Sequence, residues 1–132
     1  MIKYVCGFMF SEDLKRVVLI KKNKPDWQRG LFNGVGGKIE KAESSFDAMA
    51  REFEEETGVK TDPVDWWYFN METDEKEWMV RFFFCKGDVD ACKTMEEEEV
   101  VVHDTVSIYS LPVIPNLLEI IPRAVLLLIA RS

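Results

Sequence analysis

The apolar positions of this chain change period as it proceeds, and each change predicts an element. Residues 2–10 are rich in β-branched and aromatic side chains and predict a strand. Ser11, Glu12 and Asp13 read as a turn, and residues 16–22 as a second strand, its hairpin partner. A polar loop with Pro25 and Trp27 covers residues 23–30. Gly34, Gly36 and Gly37 then punctuate a short extended piece that reaches Glu40. Beyond it the period becomes helical. Phe46, Met49, Ala50, Phe53 and Thr57 recur at helical spacing and are expected to face a core. Ser44 or Ser45 can cap this helix, Asp47 suits its first turn, and Gly58 suits the left-handed position that ends it.

The strand pattern returns at residues 65–71 and 77–86, with Asp74, Glu75 and Lys76 as the turn between them. Residues 87–95 are polar and read as a loop. The acidic run 96–99 leads into Val100, Val101 and Val102, a fifth strand or its start. Ser110, Leu111 and Pro112 lead to a final helix over residues 115–130, which Pro122 is expected to kink or to split. The order of strands, helix, strands, helix favours a mixed sheet with helices on both faces, in one α/β domain.

Composition narrows the function. A chain of 132 residues fits one domain, and 47% hydrophobic residues are enough for a core. A formal net charge of −7 argues against polymeric nucleic acid as a partner. It does not argue against a small phosphorylated substrate, because bound metal ions can invert the local field. Cys6, Cys85 and Cys92 are an odd number without metal-type spacing, which reads as free thiols in a reducing cytoplasm. The start of the chain reads as a strand rather than a signal peptide. The apolar run near the other end is broken by Glu119, Pro122 and Arg123, so no membrane span is expected.

The first predicted helix also carries charge. At roughly 100° per residue, Glu52, Glu55 and Glu56 project together, away from the apolar face. Three carboxylates so close are costly unless a cation sits among them, and hard cations such as Mg²⁺ prefer carboxylate oxygen. A solvated acidic face is the alternative. The surrounding spacing decides between them. Gly37 is followed by five residues, Glu43, seven residues, Arg51, Glu52, Phe53, Glu54, Glu55, Glu56, Thr57, Gly58 and Val59. This resembles the Nudix box at every defined position, and with it the Nudix hydrolase superfamily.

That resemblance implies an α/β/α sandwich and hydrolysis of a nucleoside diphosphate linked to another group. It implies divalent metal, Mg²⁺ or else Mn²⁺, on Glu52, Glu55 and Glu56, with a backbone carbonyl of Gly36 or Gly37. It pairs Arg51 with Glu43. The general base would be Glu55 or Glu56, or else a later carboxylate, Glu98 or Glu99, although the run 96–99 can simply be a solubilising loop. His103, beside Asp104, reads as a surface strand histidine.

Outside the box, Leu31 to Lys38 is similar to the segment Trp-Asn-Gly-Phe-Gly-Gly-Lys of the MutT and 8-oxo-dGTPase-like branch. There the asparagine contacts a purine, which would be Asn33; an asparagine before glycine is equally a turn residue. Phe32 stands where that branch has tryptophan. Pro115, Asn116 and Leu117, with Pro122, resemble the branch's base-reading segment, but Leu117 is not acidic, and Asn116 can instead cap the helix. Lys38, and less so Lys21, Lys22 and Lys24, are phosphate candidates. Trp27, Trp66, Trp67, Tyr68 and Trp78 are stacking candidates, with Trp67 and Phe32 preferred. The implied activity is cleavage of a nucleoside triphosphate, a purine deoxynucleotide or its oxidised form, to monophosphate and pyrophosphate, in a monomer or homodimer. The alternatives are ADP-ribose, a dinucleoside polyphosphate or another nucleotide derivative, or nucleotide binding without catalysis.

Overall fold

A computed structural model describes residues 1–131. Strand β1 (Ile2–Phe10) is the axis of the sheet. Along Ile2 to Phe10 it runs parallel to β6 (Trp78–Lys86), which is antiparallel to β5 (Trp67–Thr73) at the edge. On its other side β1 has two neighbours. Residues Tyr4 to Gly7 pair with β4 (Val35–Lys38), whereas Phe10 pairs with Val17 of β2 (Arg16–Lys21). β2 then leaves β1 and pairs along its length with β7 (Glu99–Asp104), and at its end with β3 (Phe32–Asn33). The sheet therefore forks at β1.

Side chains alternate across β1, as a strand's period of two requires. Cys6, Phe8 and Phe10 enter one apolar layer with Phe82, Phe84, Ile114, Leu117, Ile121 and Leu128. Val5 and Met9 enter the opposite layer with Met49, Phe53, Trp66 and Phe83. Helix α2 (Leu117–Ala130) covers the first layer and α1 (Ser45–Thr57) the second. The result is the expected α/β sandwich around a mixed sheet.

Helix α1 starts where Ser44 Oγ accepts the Asp47 N–H at 3.0 Å, and it ends at Gly58, whose φ of 78° is left-handed. It docks through Ala48, Met49, Phe53 and Thr57, all fully buried. Phe53 meets Trp66 edge-on at 5.2 Å, a contact worth about 0.5–1.5 kcal/mol beyond its burial. Gly7 is what lets the helix approach, because a Cβ there would stand 2.6 Å from Met49 Sδ. Phe46 differs from expectation. It lies in the first turn, 39% exposed, with its ring edge-on to Phe83 at 5.1 Å.

Other boundaries shift. The third main strand begins at Trp67, because Asp62 caps a short 3-10 turn, Pro63–Asp65, through the Val64 N–H. A 3-10 turn, Asp26–Gln28, interrupts the polar loop, and a longer one, Thr105–Ser110, follows β7. Helix α2 starts at Leu117 and continues through Pro122 without a split. His103 is not a surface residue. It is half-buried and meets Phe32 edge-on at 4.6 Å, with burial holding its pKa below the ordinary value. Cys6 and Cys85 are buried free thiols, and Cys92 is half-buried. Among the described residues no helix is long and apolar enough to cross a membrane.

Candidate active site

Arg51 is the hub of the site. Its Nε donates to Glu43 Oε2 at 2.7 Å and its Nη2 to Glu43 Oε1 at 3.0 Å, a bidentate pair. Nη1 donates to Glu52 Oε1 at 2.9 Å and to Glu55 Oε2 at 3.1 Å, while Nη2 also reaches the Lys38 carbonyl at 3.0 Å. One guanidinium thus ties the loop before α1, the end of β4 and the acidic face of the helix into one unit. Glu43 continues the tie by accepting the Glu40 N–H at 2.9 Å. The Arg51 hydrogen bonds hold Glu43 below the usual carboxylate range, and Arg51 itself is pushed up by the same contact.

The three helix carboxylates have different surroundings. Glu55 is the most open, with 47% of its side chain exposed, and it leans on Arg51. Glu52 is 13% exposed and lies against Gly37, where a Cβ would come within 2.5 Å of its carboxylate. Burial raises its pKa against the pull of Arg51. Glu56 forms no ion pair among the described residues, and Lys22 is the one cation whose charge opposes the rise of its pKa. Its Oε2 is buried without a hydrogen-bond partner among the described residues. Burial, then the charges of Glu96, Glu98 and Glu52, raise its pKa to about 7. Such a carboxylate is a natural seat for a cation.

The later acidic run divides by strand alternation. Glu98 turns inward at the start of β7 and accepts from Lys22 Nζ at 3.0 Å and from the Asn23 N–H at 2.6 Å. Burial opposes its ionisation, but these donors hold its pKa below the ordinary value. Glu99, one residue on, is exposed opposite Lys21. The structure therefore brings Glu98, and not Glu99, beside Glu56.

A cleft of about 490 Å³, a volume that suits a small ligand, lies over β4, β1, β6 and β5 and is closed by the loop that follows β2. Gly36 and Gly37 form one wall, and a Cβ on Gly36 would strike the Val5 carbonyl. Lys22, Asn33 and Asn116 project into it, as do Trp27, Gln28, Trp78 and Glu72. Three residues preferred from sequence lie elsewhere. Phe32 is buried against His103 and belongs to the core. Trp67 sits on the edge strand, 46% exposed, under the Arg131 guanidinium at 4.1 Å. Lys38 is exposed at the end of β4 and contributes its carbonyl to Arg51 rather than its amine to the cleft.

Sequence reasoning missed Glu72. Its signal is the polar pair Asn70 and Glu72, two residues apart in an aromatic strand. Both reach the α2 segment, Asn70 accepting from Arg123 and Glu72 from Asn116. Asn116 stands at the N-cap of α2, but its side chain makes no cap hydrogen bond and turns to Glu72 instead. A second depression of about 450 Å³, between Ser11 to Arg16 and Gly87 to Val89, has no aromatic ring, and its Arg16 is already paired with Asp90 at 2.7 Å.

A forked mixed sheet that places a glycine wall beside an arginine-organised glutamate helix defines a Nudix hydrolase, the class that acts on nucleoside diphosphates linked to another group. The sequence matches the family model of the NUDIX domain over residues 2–123, and the chain belongs to that family. Similar solved structures carry the same fold. One, from work on MutT of Aliivibrio salmonicida and Vibrio cholerae, is 22% identical with a TM-score of 0.77, covering 92% of this chain and 94% of the other. The NUDIX domain of Shewanella oneidensis NrtR, complexed with ADP ribose, is 18% identical with a TM-score of 0.79, covering 96% and 87%. A mutT/nudix family protein of Listeria innocua is 18% identical with a TM-score of 0.72, covering 98% and 94%.

One substitution isolates the geometry of the site from the stability of the fold. Gly37→Ala would drive a methyl group into the Glu52 carboxylate, the movable end of a flexible side chain. The melting temperature should stay within a few degrees of the parent, while nucleotide hydrolysis falls about 10²-fold, the cost of a misplacement on the order of 1 Å. Unchanged hydrolysis in the folded variant would show that Glu52 takes no part.

Proposed function

We propose that this chain is a divalent-metal-dependent pyrophosphohydrolase of nucleoside triphosphates, purine deoxynucleotides foremost, that releases monophosphate and pyrophosphate. The observation that carries this reading is the cleft itself. Its glycine wall adjoins Glu52 of α1, and two tryptophans and two asparagines are among the residues that line the remainder. A charged end and an aromatic, amide-lined end within one cleft match a phosphate chain and a base.

The donor set fits a divalent ion. Among the described residues, no three acidic, histidine or cysteine side chains already stand in ligating geometry. The reason is visible, since Arg51 holds Glu52 and Glu55. The unpartnered Glu56 oxygen and its raised pKa are what a cation would relieve. Glu52, Glu55 and Glu56, with a carbonyl of Gly36 or Gly37, are the residues that would hold Mg²⁺ or Mn²⁺. Such an ion supplies charge neutralisation and Lewis acidity at the diphosphate.

The protein's own residues do the rest. Glu56 or Glu55 is the carboxylate to take a proton from the attacking water, and Glu55 is the more open of the two to solvent. Lys22 reaches the cleft and can meet a phosphate oxygen once it leaves Glu98. Trp27 and Trp78 offer faces for the base, and Asn33 and Asn116 offer amides to its edge. Glu98 fixes the loop that carries Trp27 and Gln28 through the Asn23 N–H.

A second reading, ADP-ribose as substrate, is favoured by the Shewanella domain of similar fold, which is complexed with that ligand. A hydrolysis screen of nucleoside triphosphates, ADP-ribose and dinucleoside polyphosphates with Mg²⁺ and Mn²⁺ tests both, following phosphate and pyrophosphate release. Triphosphates should be cleaved with pyrophosphate as product, and EDTA should abolish turnover until excess metal is returned. Preferential cleavage of ADP-ribose would favour the second reading, and activity that persists in chelator would exclude the metal assignment.

A further inference from the structure

The cleft holds one carboxylate that the hydrolytic chemistry does not use. Glu72 stands on β5, across the sheet from the box, and lines the cleft with Asn33 and Asn116. Its Oε1 accepts from Asn116 Nδ2 at 3.0 Å, and among the described residues this is its one hydrogen bond. Its second oxygen therefore has acceptor capacity in reserve, because a carboxylate has about four lone-pair sites. The same bond orients the Asn116 amide, and Asn116 Oδ1 is left buried without a partner.

Asn33 presents the opposite character. Its Oδ1 accepts the Gly34 N–H at 2.8 Å and faces the Cys6 thiol at 3.6 Å. That leaves Nδ2 as the group to offer, engaged only in a long 3.4 Å contact with Gln28 Oε1. The cleft therefore presents an amide donor from β3 and a carboxylate acceptor from β5. A carboxylate accepts and cannot donate, so it welcomes an edge with adjacent N–H groups and repels a ring-nitrogen lone pair.

We propose that Glu72 is a specificity-determining residue that selects bases offering two adjacent N–H donors, the edge that guanine presents through N1–H and its 2-amino group. Asn33 Nδ2 would meet the neighbouring carbonyl oxygen. Adenine directs the N1 lone pair at the same carboxylate and is rejected. The proposal rests on the reading of this cleft as a nucleotide site. The preference should be roughly 10- to 100-fold, the range of one good bidentate base contact.

The test separates base reading from catalysis. GMP and AMP are titrated calorimetrically into the metal-free protein, and kcat and KM are measured for GTP and ATP with Mg²⁺. The parent should bind GMP roughly 10- to 100-fold more tightly than AMP. Glu72→Gln, which keeps the shape and adds an amide donor, should erase most of that preference by raising KM for GTP, with kcat retained. ATP should be unaffected or improved. Glu72→Ala should weaken GMP without gain for AMP. Melting curves of both variants confirm that they fold, as a half-buried edge-strand residue permits. Equal binding of GMP and AMP by the parent, or an equal change for both in Glu72→Gln, would overturn the assignment of Glu72 alone. If neither monophosphate binds and no nucleotide is cleaved, the nucleotide reading of the cleft fails, and this proposal fails with it.

Discussion

Glu56→Gln should lower kcat/KM for nucleotide hydrolysis by at least about 10²-fold, with the fold intact, because one positioned carboxylate contributes 10²–10⁴. Glutamine keeps the volume and removes both the negative charge and the basicity, so either duty of Glu56 is lost. The same substitution has a second signature, in stability. The Glu56 pKa stands at about 7 in the folded protein, above its ordinary 4.5. Between those values the folded state binds the proton more tightly than the unfolded chain. The metal-free protein should therefore lose stability as pH rises from about 4.5 to about 7 and then level off. Glu56→Gln should flatten that part of the profile, and melting curves in EDTA across this range, parent against variant, measure it. Parallel curves would mean that Glu56 is solvated and not confined as described. Full activity in the folded variant would remove Glu56 from the reaction.

The second large effect belongs to Arg51. Arg51→Met keeps the aliphatic stem and removes the hub, leaving Glu43 and Glu52 nearly buried without their cation. Breaking a buried ion pair from one side costs about 3–5 kcal/mol, and partial solvent access here lowers that to about 2–4 kcal/mol. The melting temperature should fall on the order of 10 °C. Turnover should fall as well, since the Glu40–Glu43 loop and the Glu52 carboxylate lose their common anchor. Lysine should restore little, because a single ammonium cannot reproduce the bidentate pair with Glu43 together with the contacts to Glu52 and Lys38. Urea unfolding of the three proteins decides it, and an Arg51→Met variant as stable as the parent would show that the network is ornamental.

Much of the fold was legible because it depends on short-range rules. The alternation of β1, the Ser44 cap and the Gly58 terminus each follow from a few adjacent residues. Where neighbours in space set the outcome, the reading moved. Phe46 continues the helical apolar stripe, yet it stays 39% exposed in the first turn, edge-on to Phe83. Phe32 sits beside Asn33 in the chain, but strand alternation sends one side chain into the core and the other into the cleft. Trp67 looked like a stacking surface, and its place on the edge strand gives it to Arg131 instead.

The sequence by itself determined the reactive half of this protein. The spacing from Gly37 to Val59 lies in one strand, one loop and one helix, so helical period was enough to gather the helix carboxylates, and the resemblance to the Nudix box implied the pairing of Arg51 with Glu43. Only the tertiary structure decided the other half. Which of Glu98 and Glu99 faces inward depends on the pairing of β7 with β2, and which tryptophans line the cleft depends on how β6 and the loop after β2 are placed around it. Glu72 meets Asn116 across a separation of 44 residues, a contact that no local pattern encodes.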